Sequence, residues 1–465
     1  MRPIQFRRAV WTLLGIAPVL FAGCQNSVTD SLLNADQPGI IDPSNVNSAA
    51  GADAIRLGAL ITLRGITTAW TLGGLVGDEW DITGAASITG FVDQRRGSNP
   101  FAISAFTSVL RAVASVRTSA NQAIPLLNKW SPTPLANIAE MYFARGYAEL
   151  QTAADFCNGI PLDDGNASPP VYTMPLTNAQ IYDVAAASFD TAMSKSTGTD
   201  AASVNINRAA RIGKARALVG NGKFAEAAAL VSTALVPTTY AYNFTYATTS
   251  GNNPIWTQNA SGRSYSLGDS VEGNSHNIIV PGVMPYFSAH DPRLPAAYTV
   301  SANGKDTTKG TDGLTLFRGT TLYGQTTPVA LVNGIDARLV EAEAKLQAGD
   351  IAGAMTILNA LRATTLTIGT VTVTAAQLPS LTTPATKDAA ASLLFRERAF
   401  WTFARGQRLG EMRRLIRQYG RTQDTVFPTG PYPSGGSTYG TDVNFPLGQD
   451  ENGNPNFKGC IDLNA

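Results

Sequence analysis

Two stretches of the chain read as copies of one another: ARALVGNGKFAEA (residues 215–227) and AEAKLQAGDIAGA (residues 342–354). They align without a gap. Each reads as the end of one helix, a tight turn at Gly222 or Gly349, and a second helix opened by an apolar residue, Phe224 or Ile351. Alanines stand where the two helices must approach, and small side chains let helix backbones pack closely. A short helical hairpin cannot bury its apolar face alone, so hairpins of this kind stack and share a core. The pattern predicts a tetratricopeptide-like body.

Outward from this pair, apolar residues recur at helical spacing. Ile55, Leu57, Leu60, Ile61, Leu63 and Ile66 mark a helix over 52–75, which Gly73 and Gly74 are expected to end. Further amphipathic stretches run over 104–129, with Pro125 kinking the last turn, over 135–157, and over 177–195 with Thr177 as N-cap. Then come 207–219 with 225–235, 333–348 with 350–363, and 387–419. The expected fold is mainly α, with about four hairpins near 135–195, 206–235, 333–363 and 388–419. Long irregular insertions interrupt them near 77–101 and 236–328, where Thr, Tyr, Asn, Gly and Pro dominate and only minor strands are expected. A Gly, Pro and Asn-rich tail beyond 419 is expected to wrap the surface.

The N-terminus carries an address. Arg2, Arg7 and Arg8 precede the apolar run AVWTLLGIAPVLFA at 9–22. That run is too short to span a bilayer, which takes about 20 apolar residues, and has the length of a signal-peptide core. LFAGC at 20–24 then resembles the lipobox of bacterial lipoproteins. The resemblance implies that residues 1–23 are removed and that the Cys24 thiol carries a diacylglyceryl group. Several acyl chains hold a protein firmly, at about 0.8 kcal/mol per buried CH₂. Residues 24–50 read as a flexible tether and 51–465 as the folded domain. Gln25 after the cysteine, where Asp would favour inner-membrane retention, points to the outer membrane.

Composition narrows the function. The 35 basic and 34 acidic residues nearly cancel, and loss of the three leading arginines turns the balance slightly acidic. A nucleic-acid partner would call for a basic face. Cys157 and Cys460, in an oxidising compartment, invite a disulfide, with two unpaired thiols as the alternative. These cysteines and the two histidines, His276 and His290, lack zinc-ligand spacing. Neither histidine lies near a nucleophile motif, and no Gly-rich phosphate loop occurs. Asp163-Asp164-Gly165-Asn166 and Asp450-Glu451-Asn452-Gly453-Asn454 offer the clustered oxygens calcium takes, but without EF-hand spacing they read as surface turns. Asp78, Glu79 and Asp81 could be imagined as a glycosidase pair, yet sequence neighbours are poorly suited to flank one bond. No enzyme, metal or cofactor is expected.

The order of motifs along the chain resembles the SusD/RagB family of nutrient-binding lipoproteins. Gly77-Asp78-Glu79 is similar to that family's SDE segment, and Asn158-Gly159-Ile160-Pro161-Leu162 to its YGxVPL turn. His290-Asp291-Pro292-Arg293 resembles its DPR segment. Glu397-Arg398 through Gly406, Arg408 and Arg413-Arg414 resembles its ERxxELxxEGxRxxDLRR helix, with departures at Trp401, Thr402, Arg405 and Glu411. Asn444-Phe445-Pro446-Leu447 and Asn454-Pro455-Asn456-Phe457 are similar to its closing PIP and NPN segments. The resemblance implies a non-enzymatic lipoprotein facing the cell surface at the outer membrane. There it would cap a SusC-like TonB-dependent transporter and capture oligosaccharides or, in some branches, peptides. The helical repeats would meet the transporter and the irregular segments would hold the ligand. The alternative is a tetratricopeptide scaffold for envelope assembly with no small-molecule ligand.

Sugar binding needs aromatic faces for the C–H surface of a ring and planar polar groups for its hydroxyls. The insertions offer two such sets. One is Asp78, Trp80, Asp81 and Arg95, followed by Arg96; the other is Trp256, Asn259, Arg263, Tyr265 and Asn277. A first prediction concerns the anchor. Cys24→Ala should move the protein from the membrane to the soluble fraction and abolish incorporation of labelled fatty acid; membrane retention without label would refute the lipobox reading.

Overall fold

The computed structural model describes residues 43–465 apart from 84–87, 98, 164–165, 167–170, 270, 273–277, 280–282, 299–307, 312–315, 433–436 and 448–452. The signal segment, Cys24, most of the tether, His276 and Asn277 lie outside the described residues. So do the central residues of both calcium-type runs. Asp163, which is described, accepts the backbone N–H of Thr173 and an amide hydrogen of Asn454.

Val46 is already buried in the core, so the packed body begins ahead of residue 50. Ser48 caps α1 (Ala49–Arg64), its hydroxyl accepting from Gly51 N. The chain then breaks at Gly65, and α2 (Thr67–Val76) follows where one unbroken helix was expected. Gly73 and Gly74 do not end the helix; they lie inside it, where other segments of the chain press on them. Leu409 and Phe445 pack over Gly73, and the Trp80 ring stands 2.5 Å from where a Cβ on Gly74 would be. The segment after α2 is not all loop. It contains the strand Trp80–Ile82 and α3 (Ile88–Asp93).

α4 (Pro100–Trp130) carries Pro125 without interruption, and α5 (Leu135–Asp155) follows. α6 (Asn178–Lys195) opens on Thr177, whose hydroxyl accepts from Gln180 N while the Gln180 side chain returns to Thr177 N. The two aligned segments form α7 (Ala201–Gly220) with α8 (Phe224–Ala229), and α9 (Gly334–Gln347) with α10 (Ile351–Ala363). α8 is shorter than the expected 225–235. Gly222 and Gly349 turn the chain at φ 73° and 85°, a left-handed conformation that side-chain-bearing residues rarely adopt. Ala215, Ala227, Ala342 and Ala354 are fully buried between helices.

The predicted helix over 387–419 is two helices, α11 (Lys387–Trp401) and α12 (Arg408–Arg417). Ala404 and Gly406, at φ 58° and 65°, reverse the chain between them, and Trp70 fills the space a Cβ on Gly406 would take. The insertions add small two-stranded antiparallel sheets, among them Ala241–Phe244 with Val329–Asn333. The C-terminal tail does more than wrap. Phe427 and Phe445 are buried, and Phe445 sits 5.1 Å from Phe106 and 5.3 Å from Phe156, ring centre to ring centre. Its backbone exchanges hydrogen bonds with Asp155 and Cys157 at the end of α5. Cys157 and Cys460 are joined there as a disulfide.

Most of the motif residues in α11 and α12 enter buried ion pairs and small ionic clusters. Glu343 of α9 accepts from Arg414 at 2.8 and 2.9 Å, from Arg398 at 2.7 Å and from the Tyr419 hydroxyl at 2.7 Å. Burial pushes its carboxyl up, but the two guanidiniums outweigh burial and hold it below the ordinary carboxylate range. Arg398 also reaches Glu411 at 2.9 Å. Glu397 binds Arg293 at 2.7 and 3.1 Å and Arg362 at 2.8 Å. Arg405, a departure from the family pattern, pairs with Asp336 at 3.0 and 2.7 Å. Arg408 clamps Asp78 with two bonds of 2.6 Å. Arg413 caps α5, donating to the carbonyls of Ala154 and Phe156.

Removing one partner of such a pair strands a buried charge, at a cost of about 3–5 kcal/mol. Asp78→Ala should therefore destabilise the protein by that order in urea unfolding, and adding Arg408→Met should recover a large part. An unchanged unfolding midpoint in Asp78→Ala would refute the structural role of the pair.

Candidate ligand-binding surface

The two predicted ligand sets, far apart in sequence, meet across one strand pair. Trp80–Ile82 runs antiparallel to Tyr265–Leu267, with Trp80 opposite Leu267 and Ile82 opposite Tyr265. Thr83 extends the contact: its backbone N–H donates to the Ser264 carbonyl and its hydroxyl to the Arg263 carbonyl. Asn259 stitches a third segment onto the pair. Its amide donates to the Tyr265 carbonyl at 2.7 Å, and its Oδ1 accepts from Thr320 N at 3.0 Å.

The same stitching takes most of the predicted side chains out of reach of a ligand. Trp80 is 1% exposed and lies against Phe403. Asp78 is held by Arg408. Asp81 pairs with Arg318. Arg95 is 1% exposed, donates to the carbonyls of Asp442 and Pro428, and stacks on Phe427 at 4.8 Å. Asn259 and Tyr265 are buried. These residues build the floor. Their polarity serves backbone groups and ion pairs inside the fold, because a buried polar group must find a partner there.

What stays accessible is a thinner layer. Trp256 is half-buried, in a short turn whose amides Asn253 caps. Arg263 is exposed and adopts φ 54°. A left-handed conformation in a residue other than glycine marks a backbone held against its preference by its surroundings, a feature that clusters at functional sites. Arg95, at φ 56°, shares it. Arg96, half-buried, donates to the Thr438 carbonyl and hydroxyl.

The C-terminal tail supplies residues that sequence reasoning missed. Tyr432 donates its hydroxyl to Asp93, and that carboxylate also accepts from Ile82 N, tying tail, α3 and strand together. Tyr439 packs edge-on to Tyr432 at 5.2 Å and is half-exposed. Contacts between positions more than 300 residues apart leave no local pattern to read. Trp256, Tyr439, Arg96 and Arg263 leave aromatic rings and planar donors partly exposed on the segments that meet this buried floor, a chemistry suited to neutral, hydroxyl-rich molecules.

No protein-family model matches the sequence, and no curated protein matches it. Solved structures do match the fold. A SusD superfamily protein from Bacteroides vulgatus superposes with a TM-score of 0.61 at 15% identity, covering 89% of this chain and 98% of that one. The chain has the SusD-like fold. A SusD-like carbohydrate binding protein from the same organism gives 0.61 at 14% identity, with the same coverage. A SusD-like protein from Bacteroides fragilis gives 0.61 at 12% identity over 90% of this chain and 98% of that one. In this chain the SDE-like, DPR-like and arginine-rich segments are joined to one another through the ion pairs of Asp78 with Arg408 and of Arg293 with Glu397.

Glu79 lies directly beneath the surface and is fully buried. One of its oxygens accepts from Ala404 N at 2.9 Å; the other has no hydrogen-bond partner among the described residues. Burial pushes its carboxyl up to about 8. Above the ordinary value of 4.5 the unfolded chain releases this proton while the folded chain keeps it, so stability falls as pH rises towards 8. Glu79→Gln, neutral in both states, should flatten that decline, by the order of a few kcal/mol between pH 5 and 8. Urea midpoints across that range check it; equal slopes in the two proteins would refute the assignment.

Proposed function

We propose that this protein is a nutrient-capturing lipoprotein that holds an oligosaccharide on the surface built over the Trp80–Ile82 and Tyr265–Leu267 pair. The observation that carries the reading is that strand pairing itself, which turns two distant aromatic and amide-rich insertions into one surface. The SusD-like fold supports it, since one solved relative of that fold is described as carbohydrate binding. In this reading the lipid on Cys24 anchors the chain to the outer membrane, facing outward, and a SusC-like TonB-dependent transporter receives the cargo. The insertion over 236–328 favours a binder over a bare helical scaffold: it packs a rigid platform beside the repeats, whereas a scaffold would keep its concave helical face clear. Of the described residues named from sequence, Trp256 and Arg263 stay accessible and would touch cargo, Trp256 as a stacking face and Arg263 as a planar donor. Tyr439 and Arg96 join them.

The test is glycan-array screening of the mature protein, calorimetry on the best oligosaccharide, and pull-down from outer membranes. Trp256→Ala and Arg263→Ala should each weaken binding about tenfold, roughly 1.4 kcal/mol, with thermal stability unchanged. A protein that binds no oligosaccharide or peptide and retrieves no transporter would overturn the proposal.

A further inference from the structure

A second feature lies among the helices, in a partly open cavity that none of the residues named for that surface lines. A cavity of about 50 Å³ is lined by residues of six helices, with Leu150, Ala154, Tyr182, Val219 and Val340 as apolar walls. Its polar lining is Arg216, Arg398, Arg414, Gln407 and Glu411. Three polar atoms of this lining are buried and have no hydrogen-bond partner among the described residues: Arg216 Nη1, Arg398 Nε and Glu411 Oε2. Arg398 and Glu411 are only 4% and 5% exposed. Unsatisfied groups of this kind are uncommon in folded proteins, and three converging on one space point to an occupant.

The charges indicate its sign. Three guanidiniums line the cavity. Glu411 lines it too, and Glu343 stands behind Arg398 and Arg414, paired with both. Arg398 is shared between Glu343 and Glu411. That leaves one positive charge over, and Arg216 is its source. Arg216 makes no ion pair at bonding distance among the described residues. Its guanidinium lies over the Tyr147 ring at 5.6 Å and interacts with the Tyr147 hydroxyl, a neutral group that does not balance the charge, and Asp155 and Asp336 act on it only at longer range. Asp336 is spent on Arg405. Asp155, fully buried, is held up to about 7 and is thus partly neutral near that pH. A guanidinium nitrogen buried without a partner is costly even where the rest of the side chain reaches solvent, and a counter-charge beside it offsets that cost.

Size limits the choice. A water molecule needs roughly 10–15 Å³ of such space, so the cavity of about 50 Å³ holds roughly three to five water-sized bodies. That admits a monatomic anion with a water or two, and excludes a sugar or a phosphate ester. Access exists on one side. Tyr182 and Gly220 belong both to this cavity and to an outer cleft of about 330 Å³ lined by Asn158, Asn178, Asn221, Arg417 and Asp462.

We propose that the inner cavity is a structural halide site: a chloride ion accepts from Arg216 Nη1 and Arg398 Nε, and a companion water donates to Glu411 Oε2. The ion locks α7 to α11 and α12. Because Arg216 is half-buried and forms no ion pair among the described residues, it can be changed without stranding a carboxylate.

The test uses the full mature chain. Thermal unfolding is followed in sodium chloride and in sodium gluconate at equal ionic strength, gluconate being too large for the cavity. Crystals grown in bromide are examined for anomalous scattering. The expected results are a saturable rise in Tm with chloride but not gluconate, loss of that rise in Arg216→Gln, and a bromide peak between Arg216 and Arg398. Equal Tm in the two salts, a chloride effect that survives Arg216→Gln, or a cavity holding water alone in bromide crystals would each overturn the proposal. Should Arg216→Gln fold poorly, Arg216→Lys, which keeps the charge but withdraws the Nη1 donor, should still lower the apparent chloride affinity at least tenfold. An unaltered affinity in that variant counts against the site.

Discussion

Glu343 accepts hydrogen bonds from two arginines and a tyrosine in an interior that excludes water. Everything C-terminal in the fold is arranged around such pairs. A carboxylate inside a protein stays ionised only where positive charge and donors surround it. α9, α11 and α12 must therefore hold one relative placement to satisfy it. Neighbouring pairs extend the constraint. Arg405 reaches Asp336 at the start of α9, Glu397 reaches the turn at Asp291 and Arg293, and Arg408 reaches Asp78 beyond the end of α2. Apolar burial supplies the larger driving force, but it is non-directional. The ion pairs, with their fixed fork geometry, specify which packing is adopted.

This explains why several motifs of the sequence are legible as a set. Asp78, Arg293, Glu397 and Arg408 lie far apart along the chain, yet they pair in the interior, so the residue types at one position constrain those at another. The departure at Arg405 is accounted for by Asp336, a carboxylate placed to receive it. Helical periodicity, the Thr177 cap and the glycine turns at 222 and 349 were readable because their causes are local: 3.6-residue spacing, a side chain three positions from its amide, a left-handed backbone. The split of 52–75 at Gly65, and of 387–419 at Ala404 and Gly406, was not readable. The second break answers to Trp70, which fills the space beside Gly406, and to Glu79, which accepts from Ala404 N, both arriving from elsewhere in the chain.

The candidate surface was half legible. Its two segments were found from composition, since aromatic and amide residues gathered in loops stand out against Ala-rich helices. Which side chains face outward was hidden. Strand pairing turns Trp80 and Tyr265 inward, while Tyr432 and Tyr439 come from a tail whose sequence gives no hint of its destination. Depth in a fold is a property of long-range neighbours, and a polar residue in a loop carries no mark that separates a ligand contact from an internal tie such as Asn259.

The bond between Cys157 and Cys460 spans 303 positions. Topologically it converts most of the body into a closed ring, with the first helices leading in and a few residues left over. A protease that nicks any surface loop inside that ring opens it without detaching a fragment, and the broken ends remain held by the surrounding core. Wherever proteases reach it, the molecule would tolerate a cut as a break in continuity rather than as the loss of a part.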